Sequence, residues 1–157
     1  SGDAFTLNYY EYGLQNSRGF RALKVWLSLQ QVGRKGYIKM IGDDIKLSRL
    51  LFTLARQHKE LEAVSQNLSI TTLRYVPAGF STGSPENEEY LNRLNEALLN
   101  ALQENGEVFL SNALVNGKYC LRACIVNFRT AEKDIQEIIG IIVKEGRKVH
   151  GKVFNHL

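Results

Sequence analysis

Few residues in this sequence have types and spacing that could support catalysis. Cys120 and Cys124 have no histidine near them in the chain, so a Cys/His nucleophile pair is unsupported. On one strand they would lie ~13 Å apart, too far for a disulfide. His58, His150 and His156 are scattered and give no metal-ligand spacing. We therefore expect reduced thiols, no bound metal and a cytoplasmic location.

Phosphate-binding and hydrolase motifs are also missing from the sequence. It contains no GxGxxG, Walker A, HExxH or GxSxG pattern. Residues 79–83, GFSTG, have the composition of a phosphate-binding loop, but they lie between Pro77 and Pro85. This setting favours a solvent-exposed loop over an anion site. The residues alone therefore indicate a soluble α+β domain.

The spacing of apolar residues predicts the elements that would position any site. Three- and four-residue spacing predicts helices over residues 18–32, 35–58, 87–105 and 131–150. Alternation and β-branched content predict strands over residues 61–65, 70–76, 108–115 and 119–127. The order of these elements favours an α+β fold, an antiparallel four-stranded sheet with helices packed on one face and a helical segment before it. We expect residues 1–58 to form the N-terminal helical segment and residues 59–157 the sandwich domain.

Turn and capping residues set the expected ends of these elements. Gly33 is expected to end the first helix, and Asn67 marks the turn of the first hairpin. Ser84 followed by Pro85 predicts the start of the third helix. The ends of the remaining elements are predicted at Gly106, at the Asn116-Gly117 turn and at Thr130, the expected N-cap of the last helix.

Charge and hydropathy limit the classes of partner. The formal net charge is +4 with a pI of about 9.1, but Lys and Arg are interleaved with Asp and Glu along the 157 residues. Nucleic-acid binders usually concentrate their basic residues on one face, so we expect no nucleic-acid partner. No apolar run approaches ~18 residues, and residues 1–4 have neither a basic nor an apolar region. We expect no membrane partner and no secretory signal.

Two segments resemble a known enzyme family. Residues 17–27, SRGFRALKVWL, resemble the Ser-Arg-Arg-Phe-Arg-Ala-Leu-Lys-x-Trp motif of the group II pyridoxal-phosphate decarboxylases, which act on aromatic amino acids, histidine, tyrosine and glutamate. Residues 119–130, YCLRACIVNFRT, resemble the late strand that leads into that family's terminal helix. The resemblance covers essentially the whole chain. Gly19 departs from it, because the family usually has a second arginine there.

The resemblance implies that the chain is the C-terminal part of a decarboxylase, the small domain of a fold-type I pyridoxal-phosphate enzyme. The family's reactive lysine, its aspartate opposite the pyridine nitrogen and its histidine over the ring all precede the matched region. It implies an amino-acid substrate, pyridoxal phosphate and a homodimer for the intact enzyme, with no catalytic residue in this chain. Phe20, Trp26 and Leu27 are then expected to form an exposed apolar patch here, or a dimer through it. The alternative is a stand-alone α+β ligand-binding or interaction module.

Three residues carry over from the resemblance as substrate-binding residues. Ser17 matches a small residue that enters the neighbouring subunit's substrate pocket, and Arg18 matches an arginine beside it. Arg122 matches the late-strand arginine near the substrate carboxylate, which a two-donor guanidinium suits. Each has a structural alternative: Ser17 as a helix N-cap, Arg18 as an ion-pair partner, and Arg122 as a strand arginine held by a protein counter-charge.

The first prediction is that the purified chain does not bind pyridoxal phosphate covalently. The family's reactive lysine precedes the matched region, and Lys24 lies inside the first motif, where nothing directs it to a cofactor. The measurement is a visible absorption spectrum after cofactor addition and dialysis. A stoichiometric band that survives dialysis, and that borohydride converts to one labelled lysine, would contradict the prediction.

Overall fold

The computed structural model describes residues 19–154 of the chain. The elements, in order, are α1 (Arg21–Gln57), β1 (Leu61–Asn67), β2 (Ile70–Tyr75), α2 (Pro85–Asn105), β3 (Ser111–Val115), β4 (Lys118–Cys124) and α3 (Glu132–Phe154). The first two predicted helices are joined in α1, which is interrupted at Gly33 by a non-helical conformation (φ 66°, ψ 171°). Gly33 therefore breaks the helix as expected, because a positive φ is accessible to glycine.

The four strands form one antiparallel sheet in the order β1-β2-β4-β3. β2 and β4 are the central strands, of which β2 is the more buried, and β1 and β3 form the edges. The register between β1 and β2 shifts between Ala63 and Ser65, which is a β-bulge. The antiparallel sheet confirms the predicted fold class.

The helices pack on one face of the sheet, here called the core face, which carries Thr71, Leu73 and Tyr75 of β2. The Ser48 hydroxyl of α1 lies 2.9 Å from that of Thr71. On α3, Gly146 lies so close to the Tyr75 ring that an added Cβ would be 2.6 Å from its Cγ. Leucines and isoleucines of α2, α3 and β4 fill the space between, including Leu91, Leu94, Leu98, Leu121, Ile135 and Ile142.

Most element ends match the sequence expectations. Ser84 is the N-cap of α2, with its hydroxyl accepting from the N–H of Asn87 at 3.3 Å, and Pro85 begins the helix. Gly106 ends it in the left-handed conformation, φ 71°. The second hairpin turns at Asn116 and Gly117, with φ of 51° and 78°.

Other boundaries were wrong by up to four residues, and the largest difference is at the end of α3, which continues to Phe154 rather than ending at residue 150. The first hairpin turns at Leu68 and Ser69 rather than at Asn67, which still pairs with Ile70. The third strand begins at Ser111 rather than at residue 108, and the fourth ends at Cys124 rather than at residue 127. The last helix is not capped by Thr130. Instead the N–H of Ala131 donates to the Asp134 carboxylate at 2.8 Å, because an acidic side chain three residues into a helix can reach back to its first N–H groups.

Apolar side chains are exposed at the start of α1, as expected: Trp26 and Leu27 are 57% and 51% exposed, and Phe20, just before the helix, is 71% exposed. A compact unit begins at Ile38 and continues through the sheet and α3. The division at residues 58 and 59 stays a prediction. Across residues 19–154, none of the helices combines the length and the hydropathy needed to cross a membrane.

The close approach of α3 to β2 gives a second prediction. Gly146→Ala is expected to lower the free energy of unfolding by about 1–3 kcal/mol, because the new methyl group overlaps the Tyr75 ring. The measurement is chemical denaturation followed by circular dichroism.

Gly140→Ala is the matched control on the same helix. Its Cβ would meet no atom within 4 Å, so higher helix propensity should raise stability by up to about 1 kcal/mol. Equal stability of the two variants would show that the contact between Gly146 and Tyr75 does not restrict this position.

Candidate functional site

The pairing between β2 and β4 ends at Leu73 and Leu121, before the two strands themselves end. The candidate site lies beyond this last pair. Beyond it, the Asn95 side chain of α2 accepts from the N–H of Tyr75 at 2.7 Å and donates to its carbonyl at 2.9 Å. The Asn92 side chain accepts from the N–H of Tyr119 at 2.7 Å. The two amides thus take the place of strand partners, and they hold α2 against the gap between β2 and β4.

Glu88 extends this polar side of α2 by one helical turn and reaches Arg74. The two side chains form a bidentate pair, with Nη1 to Oε2 at 2.6 Å and Nη2 to Oε1 at 3.0 Å. The third donor group of Arg74, Nε–H, binds Glu62 of β1 at 2.6 Å. The Arg74 side chain is fully buried. A buried guanidinium is tolerated only when its donors are satisfied by such charged partners.

Lys118 completes a four-residue group, here called the Arg74 cluster, which consists of Glu62, Arg74, Glu88 and Lys118. The Lys118 ammonium lies 2.5 Å from the other oxygen of Glu62. The N–H of Gly83, in the loop before α2, donates to Glu88 at 3.0 Å. Two cations and two anions balance, so the cluster joins β1, β2, β4 and α2 without net charge.

The pKa values within the Arg74 cluster follow from these contacts. The hydrogen bonds from Arg74 lower the pKa of Glu88 to about 2, with a smaller contribution from the Gly83 N–H. Burial alone would raise the pKa of Glu62, but hydrogen bonds from Lys118 and Arg74 outweigh it and lower that pKa. Both carboxylates therefore stay ionised and paired at neutral pH.

Arg122 lies on the same strand as Lys118, on the sheet face opposite the core face, here called the outer face. It pairs with Thr72 on β2 and with Ser111 on β3. Its Nη1 donates to the Ser111 hydroxyl at 3.3 Å. Arg122 is half-buried, so part of the residue remains accessible to solvent. A partly accessible cation beside a balanced cluster is suited to binding an anionic group.

No carboxylate within residues 19–154 forms an ion pair with Arg122. The two carboxylates of the Arg74 cluster, Glu62 of β1 and Glu88 of α2, are both bound by Arg74. The structural alternative for Arg122, a protein counter-charge, thus has no candidate in the described part of the chain. Its role in substrate binding stays a prediction.

The other two predicted site residues cannot be compared with the structure. Ser17 and Arg18 lie outside the described residues, so their substrate-binding roles and their structural alternatives stay predictions.

A second polar network joins the buried Glu60 and Tyr75 to the exposed Arg147 and supports the core face. Glu60 accepts from the Tyr75 hydroxyl at 3.1 Å and from Arg147 Nε at 3.1 Å. Burial, reinforced by the hydrogen bond to Glu60, raises the pKa of Tyr75 to about 12. The same contacts, led by Arg147, lower the pKa of Glu60. This network ties the start of β1 to β2 and α3, and it faces away from Arg122.

The described residues do not fit an attachment site for pyridoxal phosphate. Such a site needs a desolvated lysine directed at the cofactor aldehyde. Lys118 is the only lysine in residues 19–154 that is not exposed, and its ammonium is bound to Glu62. The same range contains no group of three potential metal ligands, and Cys120 and Cys124 are free there.

Sequence reasoning missed the Arg74 cluster and Ser111. A signal for the second was available, because a two-residue turn at Asn116-Gly117 pairs Ser111 directly with Arg122. Opposite charges on neighbouring strands, here Glu62 and Arg74, are a known stabilising pattern. That pairing requires the β-bulge in β1, and no residue pattern in the sequence indicates the bulge.

Comparisons with known proteins agree with this architecture. A family model described as the PDXDC1-like second central domain matches residues 54–153. An aromatic-L-amino-acid decarboxylase of Bacillus atrophaeus is 30% identical over 134 residues, which is 85% of this chain and 27% of that protein. A phenylacetaldehyde synthase of a Rosa hybrid cultivar is 30% identical over 138 residues, which is 87% of this chain and 27% of that protein.

A solved structure shows the same similarity. The crystal structure of Catharanthus roseus tryptophan decarboxylase in complex with L-tryptophan has a TM-score of 0.67 and 26% identity, over 83% of this chain and 27% of that one. The chain thus spans about a quarter of the length of the curated relatives it matches. The resemblance to the C-terminal part of the group II decarboxylases is confirmed.

The third prediction concerns the pair between Arg74 and Glu88. Glu88→Gln is expected to lower the free energy of unfolding at pH 7 by about 1.5–3 kcal/mol, because it removes a charged acceptor from a fully buried guanidinium. The measurement is urea denaturation at pH 7. Glu89→Gln is the control, since Glu89 pairs with Arg93 on the surface, and its loss should change stability by less than about 0.5 kcal/mol.

The pair between Arg74 and Glu88 should also make the free energy of unfolding depend on pH. The folded pKa of Glu88, about 2, lies below its ordinary value of 4.5, so ionised Glu88 contributes stability above pH 4.5 that is lost as the pH falls toward 2. The difference between wild type and Glu88→Gln should be full at pH 7 and shrink below pH 4.5. A difference that is constant from pH 7 to pH 3 would mean that the ionised pair does not stabilise the fold.

Proposed function

We propose that this chain, which belongs to the PDXDC1-like second central domain family, is the part of a pyridoxal-phosphate-dependent amino-acid decarboxylase that binds the substrate carboxylate. Arg122 is the residue proposed to bind it. The observation that carries this proposal is that the half-buried Arg122 guanidinium has no carboxylate partner within residues 19–154. The similarity to an aromatic-L-amino-acid decarboxylase supports the reaction class.

Arg122 is suited to this role by its chemistry and its surroundings. A guanidinium offers parallel N–H donors that match the two oxygens of a carboxylate. Because the Arg74 cluster is internally neutral, an incoming carboxylate meets a net positive charge at Arg122. Its position on a paired strand, between Thr72 and Ser111, limits its movement.

The proposed substrate is an amino acid, and an aromatic one is the first to test. This choice is supported by the names of two relatives, an aromatic-L-amino-acid decarboxylase and a tryptophan decarboxylase. A third relative is named a phenylacetaldehyde synthase, so the assay must identify the organic product as well as the carbon dioxide. The expected product is the amine.

The cofactor, the homodimer and the cytoplasmic location belong to the proposal for the intact enzyme. Because the described residues do not fit a cofactor-attachment site, pyridoxal phosphate would be held elsewhere in the intact enzyme, where it would act as the electron sink for loss of the carboxylate. Ser17 is proposed to contribute to the partner subunit's substrate pocket, with Arg18 beside it. The free Cys120 and Cys124 fit a reducing compartment.

The fourth prediction tests Arg122 in the intact enzyme with pyridoxal phosphate and aromatic amino acids. Arg122→Lys keeps the charge but loses the two-donor geometry, so kcat/KM should fall roughly ten- to hundredfold, which corresponds to about 1.5–3 kcal/mol. The measurement is steady-state release of carbon dioxide, beside a thermal melt that should change little.

Arg129→Lys is the matched control. Arg129 lies over the Phe128 ring in the loop after β4 and belongs to no ion pair within the described residues. Its substitution should leave kcat/KM within about twofold. Unchanged kinetics in Arg122→Lys, together with a lowered melting temperature, would make Arg122 a structural residue and remove this assignment.

A further inference from the structure

Ser111 makes two contacts with Arg122 across the β3–β4 hairpin. Its hydroxyl accepts from Arg122 Nη1 at 3.3 Å and lies 3.5 Å from the carbonyl oxygen of the same arginine, to which it donates. The two residues are directly paired in the ladder. A hydroxyl has one donor and two acceptor sites, so it can make both contacts together. Ser111 therefore links the guanidinium of Arg122 to its own backbone.

These contacts determine which edge of the guanidinium is left for a ligand. Nη1 faces Ser111, whereas Nε and Nη2 have no hydrogen-bond partner within residues 19–154. Nε–H and Nη2–H point in parallel and form the side-on fork that binds a carboxylate in a bidentate manner. The ligand-facing edge of Arg122 is thus the Nε and Nη2 edge.

We infer that Ser111 is a positioning residue that holds Arg122 so that its Nε and Nη2 donors face the substrate carboxylate. This inference rests on the proposed role of Arg122. Without the hydroxyl, the long Arg122 side chain gains rotamers in which another edge faces the ligand, and ordering it on binding then costs more conformational entropy. Ser111 acts through Arg122 and does not itself need to touch the substrate.

The first test observes Arg122 directly and needs no activity. In ¹⁵N spectra of the chain, the Nε–H signal of Arg122 is identified by its absence in Arg122→Lys. Ser111→Ala should shift this signal and accelerate rotation about the Nε–Cζ bond, whereas Ser111→Thr, which keeps the hydroxyl, should restore both. Asn112→Ala is the control, since Asn112 is exposed and pairs with Leu121. An Arg122 signal that is the same in wild type and Ser111→Ala would overturn the inference.

The second test uses steady-state kinetics of the intact enzyme. Ser111→Ala should raise KM about two- to tenfold, because it loosens the orientation of Arg122 without removing its charge, and leave kcat nearly unchanged. Ser111→Thr should restore KM. A KM that stays at the wild-type value in Ser111→Ala would overturn the inference, even if the melting temperature falls.

The two tests separate this inference from the proposed function. If the intact enzyme decarboxylates no amino acid but Ser111→Ala still changes the Arg122 signal, the proposed function fails while the positioning of Arg122 by Ser111 stands. If Arg122→Lys impairs catalysis but Ser111→Ala changes neither the signal nor KM, the proposed function stands and the inference fails.

Discussion

The buried guanidinium of Arg74 is the constraint on which the rest of this structure depends. Moving an unpaired cation out of water costs several kcal/mol, so its donors must meet charged acceptors in the folded state. Glu88 provides two of these acceptors from α2, and Glu62 provides the third from β1. Because the partners come from separate elements, satisfying one side chain fixes α2, β1 and β2 relative to each other. Asn92 and Asn95 of α2 then fill the gap between β2 and β4.

The same constraint explains why Arg122 is available to a ligand. The carboxylates of Glu62 and Glu88 are both bound within the Arg74 cluster, by Arg74 and Lys118. Arg122, two residues from Cys120 and four from Lys118 on β4, keeps its charge without a described carboxylate partner. Under the proposed function, structure and function are coupled through charge: the neutral Arg74 cluster stabilises the fold, and Arg122 stays available for the carboxylate of a ligand.

Much of the fold could be predicted from the sequence because local signals determined it. Helical periodicity, Gly33, the pair Ser84-Pro85 and the Asn116-Gly117 turn all act within a few residues of the structure they specify. The resemblance predicted Arg122 as a substrate-binding residue, whereas its pairing with Ser111 was missed, although the Asn116-Gly117 turn carried a signal for it. The Arg74 cluster was different. From the Asn67–Ile70 pair, an unbroken ladder would set Glu62 opposite Tyr75. The bulge between Ala63 and Ser65 shifts it to Arg74. Glu88, the partner of Arg74 on α2, reaches it through the packing of that helix on the sheet, which no local sequence pattern encodes.

The central claim is that Arg122, and not a residue of the Arg74 cluster, receives the carboxylate of the ligand. A crystal structure of the intact enzyme with an aromatic amino acid or its non-reactive analogue tests this most directly. The account predicts a ligand carboxylate at hydrogen-bond distance from Nε and Nη2 of Arg122, with the contacts among Arg74, Glu62 and Glu88 unchanged. A protein carboxylate bound to Arg122, with the ligand carboxylate held by other residues, would contradict it.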